Sequence, residues 1–363
     1  MLFPWPPPSG LAYESIAWLP ASAGRPISAP DFRLTSLRQG YGGPPKRFAR
    51  RRKAEGGSCR QEIDSILSGI FDDNLQMSLV IAIALAVQTG YARPELLVDT
   101  AWLAAHLDDT SVRIVDMRPR GYADAHIPGA VWLDNNAIRI AGRPPDFLPT
   151  PAEFEQLMAR LGISNTTRVV TYDERGGIYA ARLWWILNHY GHANVALLDG
   201  GWTKWTADGR PTNAATPSPS STSFKVRPGT VKVATADDVK RAISRAGTKL
   251  IDARTQAEIE GKDLRNIKRG GYIESSIPVY WEDTLNPTTR TFKSAGEIQQ
   301  LYRGKGILPS DEVLTYCQVG MRASHDLFTL ALIGHELTKL TNYYGSWEEW
   351  GNREDTPIKT PKP

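Results

Sequence analysis

Cysteine is scarce in this sequence, and its scarcity limits what the protein can be. Only Cys59 and Cys317 occur among 363 residues. Two cysteines this far apart exclude the disulfide framework of a small secreted domain. If the segment that contains Cys59 is removed during export, Cys317 remains as a single unpaired thiol, which an exported protein is expected to retain only for a function. Cys317 is therefore a candidate functional residue, whereas Cys59 lies in a segment without a clear fold pattern.

Strong charge is missing as well. The net charge is only +4. Residues 1–92 hold ten Lys and Arg against seven Asp and Glu, so most of the excess positive charge lies in this segment. We expect no nucleic-acid partner, and we interpret the basic run of residues 45–53 as a solvated segment. Up to Gly57 the sequence is rich in Pro, Gly, Ser and Arg without periodicity. The leader, 1–92, is therefore predicted to be largely disordered.

Long apolar runs are also absent. The run Met77–Val87 is too short to span a bilayer comfortably, so we expect no stable membrane span. Small residues follow at Gly90 and Ala92, so the segment 77–92 resembles a secretory signal with its cleavage site. A translation start near Met77 would make it N-terminal. The prediction is a periplasmic or exported protein beginning near Arg93. The alternative is a buried helix in a cytoplasmic protein, favoured by two nearby aspartates and the lack of nearby Lys or Arg.

After the leader, the sequence contains two copies of one unit. Val112–Arg118 matches Thr248–Arg254 at an offset of 136, and Val169–Asp173 matches Val313–Cys317 at an offset of 144. Because the offset changes so little along the unit, the match indicates a duplication. Short apolar strands alternate with helical segments in each copy. This alternation predicts an α/β fold with parallel sheets covered on both faces.

The duplication also sets the predicted domain boundaries. An N-terminal domain is expected over 93–211 and a C-terminal domain over 230–357. Between them, residues 212–229 are rich in Pro, Ser and Thr, which is typical of a linker.

Cys317 begins a short loop, Cys317–Arg322, between a strand-like run and an amphipathic helix. A sulfur at a helix N-terminus meets unpaired backbone N–H groups and the positive end of the helix dipole, which favour the thiolate. Gly320 lets the backbone turn around the sulfur, and Arg322 adds a permanent positive charge. The alternative is an inert cysteine in a core strand. The first copy has Asp173 at this position, and a carboxylate cannot carry sulfur.

These motifs resemble those of the rhodanese family, and within it the two-domain thiosulfate and 3-mercaptopyruvate sulfurtransferases. The resemblance covers about residues 95–357. The matching motifs, in chain order, are Asp116–Arg118, Tyr122, His126–Ala130, Asp173, Asp252–Arg254, Glu258, Cys317–Arg322 and Gly345–Trp350.

The resemblance implies two tandem rhodanese-like domains, each a five-stranded parallel sheet flanked by helices, of which the N-terminal one is inactive. It implies an enzyme, a thiosulfate sulfurtransferase. In this reaction the catalytic Cys317 takes sulfane sulfur from thiosulfate or 3-mercaptopyruvate and passes the persulfide sulfur to cyanide or a thiol. No metal and no organic cofactor is implied, and we expect a monomer whose partners are small molecules. The residues predicted to bind substrate or stabilise the persulfide are Arg322, Arg254, Gln318, Val319, Gly320 and Met321.

Departures from the family pattern leave alternatives open. Gly271–Ser276 stands where the family has Gly-His-Ile-Pro-Gly-Ala, and Gln318 and Val319 replace cations that thiosulfate-preferring members often carry. A persulfide carrier without rapid turnover is therefore the second hypothesis. Arg254 is alternatively an ordinary salt-bridge partner of its neighbouring aspartate. His325 is expected on the surface, with substrate contact as its alternative.

Loop length separates sulfur chemistry from phosphate chemistry. Dual-specificity phosphatases of similar fold have one more residue between cysteine and arginine than the four that separate Cys317 from Arg322. The shorter loop fits a single sulfur atom better than a phosphoryl group. We therefore predict no appreciable hydrolysis of aryl phosphates.

Overall fold

The computed structural model describes residues 90–360. The predicted leader up to residue 89 lies outside this range. Ten strands of the described part form two parallel sheets. They are β1 (Leu97–Val98), β2 (Val112–Asp116), β3 (Val131–Trp132), β4 (Arg168–Tyr172), β5 (Val195–Leu198), β6 (Lys232–Ala234), β7 (Thr248–Asp252), β8 (Ile277–Pro278), β9 (Glu312–Tyr316) and β10 (Leu340–Tyr343).

The two sheets repeat one topology. Their strand orders are β1-β5-β4-β2-β3 and β6-β10-β9-β7-β8, so adding five to each number of the first gives the second. In register, Val112 pairs with Arg168 in the first sheet as Thr248 pairs with Glu312 in the second. The predicted duplication and the predicted pair of five-stranded parallel sheets are therefore confirmed.

Helices flank both sheets. Those of the described part are α1 (Thr100–Ala105), α2 (Pro151–Arg160), α3 (Ile178–His189), α4 (Gly201–Ala207), α5 (Ala236–Ala242), α6 (Gln256–Ile259), α7 (Ala295–Gly304), α8 (Met321–Leu332) and α9 (Ser346–Trp350). Short 3-10 turns occur at Pro94–Leu96, Asn135–Ala137, Trp281–Thr284 and Leu337–Lys339.

The central strands carry the candidate site. Val169 and Val170 on β4 are both fully buried, as expected for a parallel strand covered on both faces. Asp173 directly follows β4 and Cys317 directly follows β9. Because the strands of each sheet are parallel, these two residues lie at the carboxyl edge of their own sheets, where open α/β folds bind ligands.

Two contrasting kinds of helix start occur in the described part of the chain. Four helices begin with a capping box in which a Thr or Ser and an acidic residue satisfy each other's backbone N–H groups: α2, α5, α6 and α7. In contrast, α3 and α8 begin after the left-handed glycines Gly177 and Gly320, and neither has a side-chain cap. Their first N–H groups therefore remain available to whatever lies in the preceding loop.

Helices α3 and α8 pack against each other, and they join the two domains. Nearly all their residues are buried, and the rings of Trp184 and Phe328 meet edge to face at 5.2 Å. Trp184, Trp185 and Trp205 are fully buried core residues. Trp202 is only half-buried, and its ring lies 4.0 Å from the Arg118 guanidinium carbon.

The segment predicted as a linker, 212–229, contains no helix or strand, but it is attached to the N-terminal domain. Thr222 donates its N–H to the Ala159 carbonyl at 3.1 Å and its hydroxyl to the Ile163 carbonyl at 2.7 Å. Phe224 is buried. The segment is therefore packed against the N-terminal domain and is not a freely flexible linker.

At the start of the described chain, Tyr91 belongs to the fold, although the sequence analysis assigned it to the leader. Its side chain is buried, and its hydroxyl donates to the Lys293 carbonyl at 2.6 Å. Arg93 donates its N–H to the Leu332 carbonyl at 3.2 Å. These contacts tie the first residues to the C-terminal domain. Within residues 90–360, no helix is both long and apolar enough to cross a membrane.

Candidate active site

Cys317 lies in the tight turn that joins β9 to α8. Gly320, the residue before the helix, has a φ of 74°, a region that side chains other than glycine rarely adopt. A Cβ at this position would lie 2.1 Å from Cδ2 of Tyr344. Both the backbone angle and the close approach of Tyr344 therefore require glycine, as the sequence predicted for a loop that curls around the sulfur.

The environment of Cys317 favours its anion. The side chain is fully buried, and burial raises the pKa of the thiol. Arg322 and backbone hydrogen bonds from Ala323, Val319 and Arg322 act in the opposite direction, and the pKa is lowered overall. A lowered pKa increases the thiolate fraction, which is the nucleophilic form. The geometry thus fits the reactive interpretation of Cys317 better than the inert one.

A second segment fixes the loop from the other side. Cys317 donates its N–H to Oγ of Ser346 at 3.1 Å, and Trp347 donates its N–H to the Cys317 carbonyl at 2.9 Å. Glu348 donates its N–H to the Gln318 carbonyl at 3.0 Å. Ser346 is fully buried with a φ of 53°. Sequence reasoning noted this motif but assigned no role to Ser346, because nothing local connects it with Cys317.

Arg322 is held by Glu258 on α6. Its two terminal nitrogens donate to the two carboxylate oxygens at 2.6 and 2.7 Å, a paired geometry that fixes orientation as well as charge. Burial raises the pKa of Glu258, but Arg322 and the capping contacts with Thr255 outweigh this and lower it to about 2. The sequence motif includes Glu258 but does not reveal this role.

Arg254 is placed beside the site rather than in contact with Cys317. It forms a buried ion pair with Asp252 at 2.7 Å and donates to the Gly271 carbonyl at 2.8 Å, and its guanidinium carbon lies 4.1 Å from the Trp347 ring centroid. Arg118 makes the matching ion pair with Asp116 in the domain without a cysteine. The same arrangement without a nucleophile indicates a structural role, whereas substrate binding by Arg254 stays a prediction.

The remaining predicted residues lie together. Gln318, Val319 and Met321 are half-buried, while Gly320 is buried. They surround Cys317 through chain continuity, and Gln318 and Val319 bring no positive charge to the loop. No group of three or more His, Cys, Asp or Glu side chains suited to a metal ion occurs in the described range.

In the corresponding loop of the N-terminal domain, the Asp173 side chain occupies the ring of backbone N–H groups. One oxygen of Asp173 accepts N–H groups from Arg175 and Gly177 at 2.7 and 3.0 Å, and the other accepts those of Tyr179 and Ala180 at 2.7 and 3.0 Å. Tyr179 and Ala180 are the second and third residues of α3, as Arg322 and Ala323 are of α8. The same helix positions that lower the pKa of Cys317 therefore bind a carboxylate in the other domain.

The two loops also contact the opposite domains. Arg182 on α3 donates to the Val319 carbonyl at 3.1 Å, and Nε2 of His325 on α8 lies 3.1 Å from the Gly176 carbonyl. His325 is fully buried, so the expectation of a surface histidine is wrong. The helical pattern could not reveal this, because the covering surface is supplied by the other domain.

Comparison with known proteins supports the resemblance to the rhodanese family that the sequence motifs indicated. The family model for the rhodanese-like domain matches residues 99–208 and 235–353. The sulfur carrier protein TtuD of Thermus thermophilus is 36% identical over 74% of this chain and 98% of its own length. The thiosulfate sulfurtransferase of Corynebacterium glutamicum is 34% identical over 74% of this chain and 92% of its own.

A solved structure shares the fold across both domains. The crystal structure of SseA from Escherichia coli, described under 3-mercaptopyruvate sulfotransferases, superposes with a TM-score of 0.62 at 27% identity, covering 69% of this chain and 98% of SseA. The family model matches the chain twice, once over each sheet, and the two matches together cover more than half of the chain. This chain therefore belongs to the rhodanese family, as a two-domain member among the thiosulfate and 3-mercaptopyruvate sulfurtransferases.

Proposed function

We propose that this protein moves sulfane sulfur from thiosulfate or 3-mercaptopyruvate, through a persulfide on Cys317, to cyanide or a thiol. The observation that carries the proposal is the position of the sulfur at the uncapped start of α8, where Arg322 and backbone N–H groups lower the pKa of the thiol. The same groups suit the persulfide, which is also an anion.

In the first half-reaction the Cys317 thiolate attacks the outer sulfur of thiosulfate. The new S–S bond forms as the old one breaks, and its electron pair leaves with sulfite. With 3-mercaptopyruvate the C–S bond breaks instead, and the three-carbon fragment leaves as the enolate of pyruvate, which takes a proton from water. Either donor leaves Cys317 as a persulfide with one negative charge.

In the second half-reaction the acceptor attacks the terminal sulfur of the persulfide. Cyanide gives thiocyanate, a thiolate gives a new persulfide, and in both cases the S–S electron pair returns to Cys317. No net oxidation or reduction of the protein occurs over the cycle. Splitting the transfer into two displacements at one nucleophile is covalent catalysis, and it requires that the loop tolerate a thiolate and a persulfide in turn.

The charge of the Cys317 loop bears on which donor the protein accepts. Gln318 and Val319 give the loop no positive charge beyond Arg322, whereas thiosulfate carries two negative charges. Relatives of similar identity include one named for thiosulfate, and a solved structure of the fold is described for 3-mercaptopyruvate. We propose that both donors are accepted.

Cys317→Ser tests the assignment, because serine is close in size but cannot form a persulfide. Mass spectrometry after thiosulfate treatment is expected to show one added sulfur on the peptide containing Cys317 in the wild-type protein and none in the variant. Steady-state transfer to cyanide is expected to be lost in the variant, with the far-ultraviolet circular dichroism unchanged. An active wild-type enzyme without sulfur on Cys317 would overturn the assignment.

A persulfide carrier is the second candidate, and one observation favours it. TtuD, at 36% identity, is named a sulfur carrier protein. A carrier accepts one sulfur for each Cys317 and delivers it to a particular protein, without rapid turnover on small acceptors. Comparing thiosulfate and 3-mercaptopyruvate in the cyanide assay separates the two functions: stoichiometric loading without turnover on either donor supports the carrier.

We also propose that the protein is exported and monomeric. Export is supported by the apolar run of residues 77–87 and the small residues that follow it; the run lies outside the described part of the chain.

A further inference from the structure

The two domains hold each other's loops by equivalent residues. Arg182 and His325 are both the fifth residue of their helices, and Gly176 and Val319 both directly precede the glycine that comes before the helix. Arg182 donates to the Val319 carbonyl and His325 contacts the Gly176 carbonyl, each at 3.1 Å. The interface is therefore symmetric in position, but the two residues at equivalent places differ in chemistry.

They differ in charge. Burial lowers the pKa of His325 to about 4, so the ring is neutral at pH 7. Arg182 is 4% exposed and remains a cation. Its other contact is the Tyr344 ring, 5.5 Å from the guanidinium carbon, and its Nε has no hydrogen-bond partner among residues 90–360. A neutral donor suffices at His325, so holding the interface does not explain a buried charge, which is costly when unpaired.

Other cations near the loop are neutralised. Arg322 faces the carboxylate of Glu258, and Arg139 forms an ion pair with Glu348. Within the described range, no carboxylate forms such a pair with Arg182. The Arg182 guanidinium is therefore a positive charge beside the Cys317 loop that no carboxylate of the described range pairs with.

Val319 is fixed on both sides by these contacts. Its N–H is one of the groups that hydrogen-bond Cys317, and its carbonyl accepts from Arg182. The bond from Arg182 holds the peptide plane that follows Val319, and it thereby restricts the backbone of the residue whose N–H faces the sulfur. The domain that lacks a nucleophile thus reaches the site through one backbone residue.

We propose that Arg182 is a positioning residue supplied by the N-terminal domain, which orients Val319 and lends its unpaired charge to the anionic forms of Cys317. The proposal rests on the proposed function only in treating Cys317 as the reacting group. It gives the N-terminal domain a part in the chemistry, although its own loop is filled by Asp173.

Several other groups face Cys317 and set the background for a test. Arg322 and Asp326 lie on the same helix, and Tyr344 follows β10. Glu258 acts through Arg322 and Asp252 through the neighbouring ion pair with Arg254. All of them remain in place when only Arg182 is changed.

The experiment compares Arg182→Gln, which keeps an N–H donor without charge, with Arg182→Lys, which keeps the charge. The readout is the pH dependence of Cys317 alkylation by iodoacetamide, followed by peptide mass spectrometry so that Cys59 is distinguished. The glutamine variant is expected to raise the midpoint by about one pH unit, which is about a tenfold loss of alkylation rate at pH 7. The lysine variant is expected to stay within about threefold of the wild-type rate.

His325→Gln is the matched control, because it alters the equivalent contact at the inactive loop. It is expected to change thermal stability without moving the Cys317 midpoint. A folded Arg182→Gln protein with the wild-type midpoint would overturn the proposal. If Arg182→Gln folds poorly, a tenfold loss of the Cys317 alkylation rate at pH 7 in Arg182→Lys would overturn the proposal instead. Alkylation needs no sulfur donor, so a wild-type protein that forms no persulfide defeats the proposed function without deciding the role of Arg182.

Discussion

Glu258 and Arg322 form a paired contact of 2.6 and 2.7 Å inside the C-terminal domain, with the carboxylate almost completely buried. Glu258 is also the third residue of the four-residue helix α6 and caps it together with Thr255. One carboxylate therefore fixes the start of a helix and the arginine that follows the Cys317 loop. Its removal should affect both stability and activity.

Glu258→Gln tests this double role. Because the substitution leaves Arg322 buried without its counter-charge, the free energy of unfolding is expected to fall by about 3 kcal/mol, measured by urea denaturation at pH 7. Sulfur transfer is expected to fall as well, since a free Arg322 no longer has a fixed orientation. Glu260→Gln is the control, because that half-buried carboxylate pairs with Lys262 and accepts from the exposed Gln256 side chain, and its loss should leave both quantities nearly unchanged.

The same pair predicts a pH dependence. The pKa of Glu258 is lowered from 4.5 to about 2 in the folded protein, so its stabilisation is present above the ordinary value and is lost as the pH falls toward 2. The wild-type protein and Glu258→Gln should therefore differ most above pH 4.5 and converge between pH 4.5 and 2. Denaturation at several pH values checks this, and a constant difference over that range would contradict it.

Gly320→Ala separates backbone strain from steric clash. The left-handed φ alone costs about 1 kcal/mol for alanine, and contact of the new Cβ with Tyr344 should add about 1 to 3 kcal/mol. Gly306→Ala is the matched control, because Gly306 has a φ of 72° and no atom within 4 Å of the position that a Cβ would take. Only the change at Gly320 is expected to abolish sulfur transfer. Equal losses of stability at both sites would show that the Tyr344 ring moves aside without cost.

Sequence reasoning predicted what is local or repeated. The offset between Asp173 and Cys317 indicated two copies of one unit, and the four residues between Cys317 and Arg322 indicated a tight loop at a helix start. It failed where the decisive partner is distant in sequence. Ser346 supports Cys317 from 29 residues away and Arg182 reaches Val319 across 137. The surface expectation for His325 failed for the same reason, because a pattern within one helix cannot show what another domain covers.

Tyr91 makes the predicted cleavage before Arg93 testable by stability. A chain starting at Arg93 lacks the buried Tyr91 ring and its bond to the Lys293 carbonyl, and should unfold about 1 to 3 kcal/mol more easily than one starting at Gly90. Urea denaturation of the two purified chains measures the difference. N-terminal mass analysis of protein from exporting cells then locates the processed end. An intact leader on cytoplasmic protein would count against export, which stays a prediction.

Loop length distinguishes sulfur chemistry from phosphate chemistry, and this chain contains loops of both lengths. Four residues separate Cys317 from Arg322, whereas five separate Asp173 from Tyr179, the equivalent helix position. Five is also the spacing of the related phosphatases, and in this chain the longer loop is occupied by a carboxylate that accepts four N–H groups. A wider ring of donors thus binds a larger anion.

Inserting one glycine after Val319 should therefore weaken persulfide formation, because a wider loop directs fewer N–H groups at a single sulfur, and it should strengthen binding of phosphate or arsenate. Persulfide yield by mass spectrometry and phosphate affinity by calorimetry measure the two effects. A glycine inserted after Arg175 is the control, since it lengthens the equivalent loop in the domain without a nucleophile and should spare persulfide formation. The unaltered protein is expected to hydrolyse no aryl phosphate. Robust phosphatase activity that disappears in Cys317→Ser would instead assign the loop to phosphoryl transfer.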